Sequence, residues 1–256
     1  MKAYVINLAR DTGRLNHMSA RFHELGLDFE RVDAVDARLM SAEQIVAFRE
    51  SRPLHGLWTP GQVGCFLSHF GVWRKIATGT EPYAAVFEDD MHFSPSLKEV
   101  FADESWLPPD FDLVRLENST NRLLLGRRPV VSVAGRALYR LSSTSWCAGA
   151  YIMSRDAARR VVAAPEKLHC AADAFLFAHE RSPIARELAT YQFVPAFATQ
   201  DKYIGDASKR LCFASNIDMP VQSGGAWERL RGLAGKITVA TLLRSIRGYR
   251  YIPFEE

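Results

Sequence analysis

The chain has 256 residues, 48% of them apolar and 24% charged, with a formal net charge of +3. These totals fit one large soluble domain, or a domain with a small extension, and give no basis for nucleic-acid binding. Four cysteines (Cys65, Cys147, Cys170 and Cys212) are scattered without a CxxC pair, which argues against a zinc site or a disulfide framework and fits a reducing compartment. The first residues, MKAYVINLARD, hold too short an apolar run for a signal peptide, and no run of about 18 apolar residues occurs. A cytoplasmic location is therefore expected.

Ala3–Leu8 reads as a buried strand, with Asn7, Arg10, Asp11 and Arg14 at its end. Leu15, Met18, Phe22 and Leu25 then recur at helical spacing up to Gly26, and Phe29–Val32 reads as a second strand. This βαβ opening lacks GxGxxG, which disfavours a dinucleotide fold of the usual type. Arg10 and Arg14 are either phosphate contacts or solvated surface charges. Ser41 starts a short helix, and a polar linker with Pro53 and Gly56 follows. Thr59-Pro60-Gly61-Gln62 is a capping box with proline at the first helical position. The helix it opens carries Val63, Phe66, Leu67, Phe70, Trp73 and Ala77 on one face. Cys65 and His69, four apart, either share a metal or, as the apolar surroundings favour, pack in the core or line a pocket.

Tyr83–Phe93, YAAVFEDDMHF, is the stretch on which the reading turns. Five small or apolar residues without alternation read as a strand buried on both faces. It ends in Glu88, Asp89 and Asp90, where ligands of open α/β sheets sit. Three adjacent carboxylates repel one another, and a hard divalent cation offsets that repulsion; a solvated acidic turn is the alternative. Further strands are read at Asp112–Leu116, ending at Glu117, then at Ala137–Leu141, Trp146–Met153 and Leu188–Phe197. Arg122–Gly135 is basic and irregular, with the length of a functional loop. Ser154 caps a helix over 155–163, and Asp173 sits in the first turn of another, where the macrodipole alone would favour it. Trp227–Tyr251 interleaves Arg229, Arg231, Lys236, Arg244, Arg247 and Arg250 with apolar residues. The spacing reads as a helical extension, which either lies on an anionic membrane surface or packs on the domain.

Taken together, VINLARDTGR, FERVDAVDAR, TPGQVGCFLSHFGVWRKI, AAVFEDDMHFSP and WCAGAYIMSRDAARRVV resemble glycosyltransferase family 25, the bacterial lipopolysaccharide and lipooligosaccharide galactosyltransferases. Weaker similarity extends through Asp173, Gln200 and Ser215-Asn216-Ile217. The resemblance implies a GT-A-like α/β fold over 1–220, with a nucleotide- and metal-binding half (1–117), an acceptor half (118–220) and a basic amphipathic extension (221–256). It implies a UDP-sugar donor, UDP-galactose first, a Mn2+ or Mg2+ ion, and a glycolipid or oligosaccharide acceptor built at the inner membrane surface. Carried over by position, Asp90 and Glu88 take the place of an Asp-x-Asp metal motif. Glu at the first position departs from that pattern and leaves Glu88 to the ribose or a metal-bound water. Asp89, Asn7, Leu8, Arg10, Arg14, Ala34 and Asp36 would border the nucleotide, with Ser68 and His69 facing the pocket. Inverting transfer needs a carboxylate base; Asp173 is the first candidate and Glu117 the second. Two other classes compete: a non-catalytic sugar-nucleotide-binding relative, and a metal-dependent phospho- or nucleotidyltransferase, which the lack of a P-loop disfavours.

Overall fold

The computed structural model describes residues 1–50, 59–164, 171–205, 208, 210–211 and 248–255. Strand β1 (Lys2–Asn7) leads into helix α1 (Thr12–Leu25), which ends on Gly26 at a φ of 67°, a left-handed cap that costs glycine little. Strand β2 (Glu30–Asp33), a 3-10 turn (Ala37–Leu39) and helix α2 (Ala42–Glu50) follow. Helix α3 (Pro60–Thr78) opens with both halves of the expected capping box. Thr59 Oγ1 accepts from Gln62 N, and Gln62 Oε1 accepts from Thr59 N. Next come β3 (Tyr83–Glu88), β4 (Met91–Phe93), α4 (Leu97–Ala102), β5 (Leu113–Arg115), β6 (Leu123–Leu124), β7 (Val131–Val133), β8 (Arg136–Arg140) and β9 (Ala150–Ser154). Helices α5 (Arg155–Ala163), α6 (Ala172–Phe177) and α7 (Pro183–Glu187) precede β10 (Thr190–Val194) and β11 (Ala198–Gln200). A 3-10 turn (Asp201–Tyr203) and β12 (Tyr249–Arg250) complete the described elements.

Eight strands form one mixed sheet in the order β2-β1-β3-β9-β5-β10-β8-β7. β1 runs parallel to β2 and β3, while β9 lies antiparallel between β3 and β5. Alternation along the inner strands sends side chains to both faces. Tyr4, Ile6, Ala84, Val86, Tyr151 and Met153 meet Phe66 and Trp73 of α3, Val161 of α5 and Phe175 of α6. Ala3, Val5, Ala85, Phe87 and Ile152 meet Met18 and Phe22 of α1 and Val100 of α4. Each fully buried large apolar side chain contributes about 1.5–3 kcal/mol. Helices on both faces therefore clamp the strands whose carboxyl ends carry Asn7, Asp33 and Glu88. This is the mixed α/β sheet flanked by helices that the resemblance implies.

Because β9 sits between β3 and β5, residues 118–220 donate a central strand to the sheet begun by 1–117, and the two halves share one core. Three expectations change. Arg122–Gly135 is not an open loop: it contains β6 and β7, and β7 pairs with β8 across a tight turn at Ala134-Gly135, both at positive φ. The strand expected over Trp146–Met153 begins only at Ala150, because Cys147 adopts a φ of 73° and takes the preceding backbone out of the sheet. The end of the basic C-terminal segment is strand rather than helix: Tyr249 and Arg250 pair with Leu124 and Leu123, and Ile252 is buried with Leu123 and Ala196. The linker with Pro53 and Gly56, Cys170, Cys212, Ser215-Asn216-Ile217 and the body of the basic segment, 227–247, lie outside the described residues. No described helix is long and apolar enough to cross a membrane.

Candidate active site

The carboxyl ends of β1, β2 and β3, the first turns of α3 and the turn after β11 enclose a cleft of about 330 Å3. Its walls include Leu8, Arg10, Arg14, Ala34, Asp36, Ser68, His69, Glu88, Asp89 and Asp90. Ten of the residues singled out from the sequence therefore meet in one place. Gly64, one turn into α3, lets the helix approach the loop after β2; a Cβ there would sit 2.6 Å from Val35 O. Ser68 seals the approach, accepting from Val35 N at 2.8 Å and donating to Gly64 O at 2.6 Å. Asp36 accepts from Arg38 N and pairs with Arg10 at the rim.

The three acidic side chains at the end of β3 have different partners. Asp89 is buried and saturated: Oδ2 accepts from Asn7 Nδ2 at 2.7 Å, and Oδ1 accepts from Arg14 Nε at 2.6 Å. Burial raises its pKa against the pull of Arg14. Asp90 has Oδ2 3.3 Å from Arg14 Nη2, whereas its Oδ1 is buried with no hydrogen-bond partner. Burial, and then the charge of Glu88, push Asp90 up to about 7. Glu88 accepts from His69 Nε2 at 3.1 Å. Burial opposes its charge, but His69, Lys202 and Arg14 together outweigh burial and hold its pKa below the ordinary value. A carboxylate only accepts, so His69 Nε2 carries the hydrogen. Nδ1, 3.1 Å from Tyr151 Oη, then accepts from that hydroxyl, whose oxygen accepts from Trp73 Nε1 at 2.7 Å.

A divalent cation fits these residues. A buried anionic oxygen without a partner is costly, and Asp90 Oδ1 is one such atom beside a second carboxylate. Oxygen donors of this kind suit Mg2+ or Mn2+.

Three of the expected site residues stand outside the wall of this cleft. Asn7 does not reach the cleft wall: its amide is spent on Asp89 Oδ2 and Asp11 O, and its Oδ1 accepts from Arg31 Nε. It braces Asp89 from behind. Glu117 does not reach the wall either. It is 1% exposed, with Oε1 accepting from Gly149 N at 2.6 Å and Oε2 accepting from Gln200 Nε2 at 3.2 Å. Asp173 stands outside the wall, accepting from Cys147 N at 3.1 Å and Ala174 N at 2.7 Å. Conversely, Gln200, Asp201 and Lys202 do line the cleft. Asp201 N donates to Asp90 O, and its Oδ1 accepts from His92 Nε2 at 2.8 Å and Leu211 N at 2.8 Å. Lys202 is exposed on the wall; partial burial of its ammonium lowers its pKa, but Tyr203, then Glu88, Cys147 and Asp90 outweigh that and raise it. The available signal was a second strand end running into polar residues, Ala198–Gln200 into Asp201-Lys202, just as β3 runs into its acids.

A family model described as glycosyltransferase family 25 (LPS biosynthesis protein) matches residues 1–176. The chain belongs to glycosyltransferase family 25. The lacto-N-neotetraose biosynthesis glycosyltransferase LgtB of Neisseria gonorrhoeae is 32% identical over 216 residues, covering 78% of this chain and 75% of that protein. LgtE of Neisseria meningitidis serogroup B is 28% identical over 236 residues, covering 85% and 81%. Procollagen galactosyltransferase 1-A of Xenopus laevis is 28% identical over 225 residues, 80% of this chain but only 36% of that longer protein. Membership in family 25 makes this chain a glycosyltransferase. The matched residues contain β1 to β9 and hence every cleft residue except Gln200, Asp201 and Lys202.

Proposed function

We propose that this family 25 enzyme transfers a hexose, galactose from UDP-galactose, with inversion onto a lipopolysaccharide or lipooligosaccharide acceptor, in a reaction that requires a divalent cation. The observation that carries the reading is the partnerless, buried Oδ1 of Asp90 at the mouth of β3, inside the cleft. The names of the relatives support the acceptor class, and the procollagen galactosyltransferase supports the sugar.

Asp90, with Glu88 beside it, would hold the cation, which when bound neutralises the diphosphate leaving group as a Lewis acid. Arg10 and Lys202 both line the cleft and would supply further positive charge to a diphosphate. Arg14 is spent on Asp89 and Asp90, so its part is to orient the acids. The loop at Ala34–Asp36, pinned by Ser68, offers a wall for the uridine. Of the two base candidates, Asp173 ranks above Glu117. Asp173 is half-buried beside the Cys147 backbone, whereas burial pushes Glu117 up to about 8 and leaves it protonated at neutral pH. Asp201 is a third carboxylate to test, because it lines the cleft.

Radiolabelled UDP-galactose, Mn2+ and truncated lipooligosaccharide test the reading directly. Transfer that disappears with chelator and in Asp90→Ala is expected. Unchanged transfer by Asp90→Ala would remove the metal role, and transfer of another sugar in its place would remove galactose. The basic segment 227–247 is proposed to sit on anionic lipid at the inner face of the cytoplasmic membrane. Sedimentation with phosphatidylglycerol vesicles should fall when its arginines are replaced by glutamine, and equal sedimentation would end that idea.

A further inference from the structure

Beside the oxygen donors of Asp90, the helix wall of the cleft carries a different donor set. Cys65 and His69 lie one turn apart on α3 and project to the same side. The end of β3 brings Glu88 up to both: Oε1 is 3.9 Å from Cys65 Sγ and 3.1 Å from His69 Nε2. All three donor atoms lie within 4.8 Å of one another. Bonds of about 2.0–2.3 Å in a tetrahedral zinc site place neighbouring ligands roughly 3.3–3.8 Å apart. Small side-chain adjustments therefore close the trio on one ion.

We propose that Cys65, His69 and Glu88 form a three-ligand site for a thiophilic divalent cation of the Zn2+ class, with its fourth position open to the cleft. Glu88 is common to this trio and to the oxygen site of Asp90, so the other two donors set the preference: thiolate and imidazole select zinc-like ions, whereas oxygens alone suit Mn2+ or Mg2+. The histidine is already aimed. Tyr151 Oη holds Nδ1, and Trp73 Nε1 holds Tyr151, which is the outer brace a metal-bound imidazole needs. Cys65 is half-buried on the cleft wall and open to an entering ion.

Proton accounting follows from the ligand chemistry. Cys65 binds as thiolate, so its thiol proton leaves to solvent. His69 binds through the lone pair of Nε2, so its hydrogen moves to Nδ1 and donates to Tyr151 Oη, whose own hydroxyl hydrogen rotates away from the imidazole. One proton is released per ion, and affinity rises with pH. The site does not depend on the cleft taking a nucleotide sugar.

The test is Co2+ titration of the full-length protein under a phosphine reductant, read by the sulfur-to-cobalt charge-transfer band, followed by displacement with Zn2+. The wild type and Cys147→Ser should show the band, and Cys65→Ser should lose it and bind Zn2+ on the order of 100-fold or more weaker. His69→Asn gives an independent reading and should weaken Zn2+ comparably, with melting curves confirming that both variants fold. Asp90→Ala should keep the band. No band in the wild type, equal Zn2+ affinity in folded Cys65→Ser, or loss of the band in Asp90→Ala would each overturn the proposal.

Discussion

β3 and β5 flank β9, run in the same direction and both end in acids, yet the two ends were built for different work. At the end of β5, Glu117 is sealed: two backbone N–H groups, Gly149 and Ala150, donate to one oxygen and Gln200 to the other. At the end of β3, Asp90 opens onto the cleft with one buried oxygen unpartnered. Acidity at a strand end therefore does not mark a ligand site. Of these two ends, that of β3 alone combines access with an unmet electrostatic demand, and on that ground the cation is proposed there.

The sharpest way to break this contrast is to remove Asp90. Asp90→Asn should lower sugar transfer by about 10³-fold, the scale of losing a group that stabilises developing charge, while the folded yield is unchanged. In the same variant, Mn2+ should no longer raise Tm, whereas in the wild type a ligand bound only to the folded state raises it by mass action. Steady-state kinetics and melting curves with and without Mn2+ check both.

Next comes the floor under Glu117. A Cβ at Gly149 would fall 2.7 Å from Met91 Sδ, 2.9 Å from Gln200 Nε2 and 3.0 Å from Glu117 Oε2. Gly149→Ala should cost about 1–3 kcal/mol of stability, read by urea unfolding. An undisturbed midpoint would mean that the seal is looser than the distances indicate.

Glu117 itself gives a smaller, pH-dependent signal. Its pKa rises from 4.5 to about 8 on folding through burial. Between those values the folded chain holds a proton that the unfolded chain has released, so its contribution to stability is present below about pH 4.5 and is lost as pH rises towards 8. Glu117→Gln keeps an acceptor for Gly149 N and cannot ionise. Its Tm should therefore decline less between pH 5 and 8 than that of the wild type, and parallel profiles would refute the assignment. The smallest effect expected is at the cap of α3: Thr59→Ala loses the bond from Gln62 N and should cost about 1 kcal/mol.

Much of this arrangement is written locally. The capping box at Thr59, the apolar run before Glu88, and Gly26 after α1 each act within a few residues, and each stands where the sequence places it. What could not be read was pairing across long separations. Asn7 looks like a cleft residue because it ends β1, but Asp89, 82 positions away, claims its amide. Glu117 looks like a base because it ends β5, until Gly149 and Gln200 close over it. Cys65 and His69 could be paired from their spacing on one helix, but Glu88, which lies beside both, comes from another element. Cys147 hid a turn inside an apolar run, since nothing in its side chain announces a φ of 73°.

The final residues carry a practical consequence. Ala196 N donates to Pro253 O, Arg136 Nη2 donates to Glu255 O, and Ile252 fills a small apolar cluster. Residues 249–255 thus work as a buckle fastened across β6 and the stretch after β10. Trimming the polypeptide from that end would undo the buckle before it revealed anything about the arginines upstream. Lipid attachment has to be probed by swapping charges in place, with the tail left fastened.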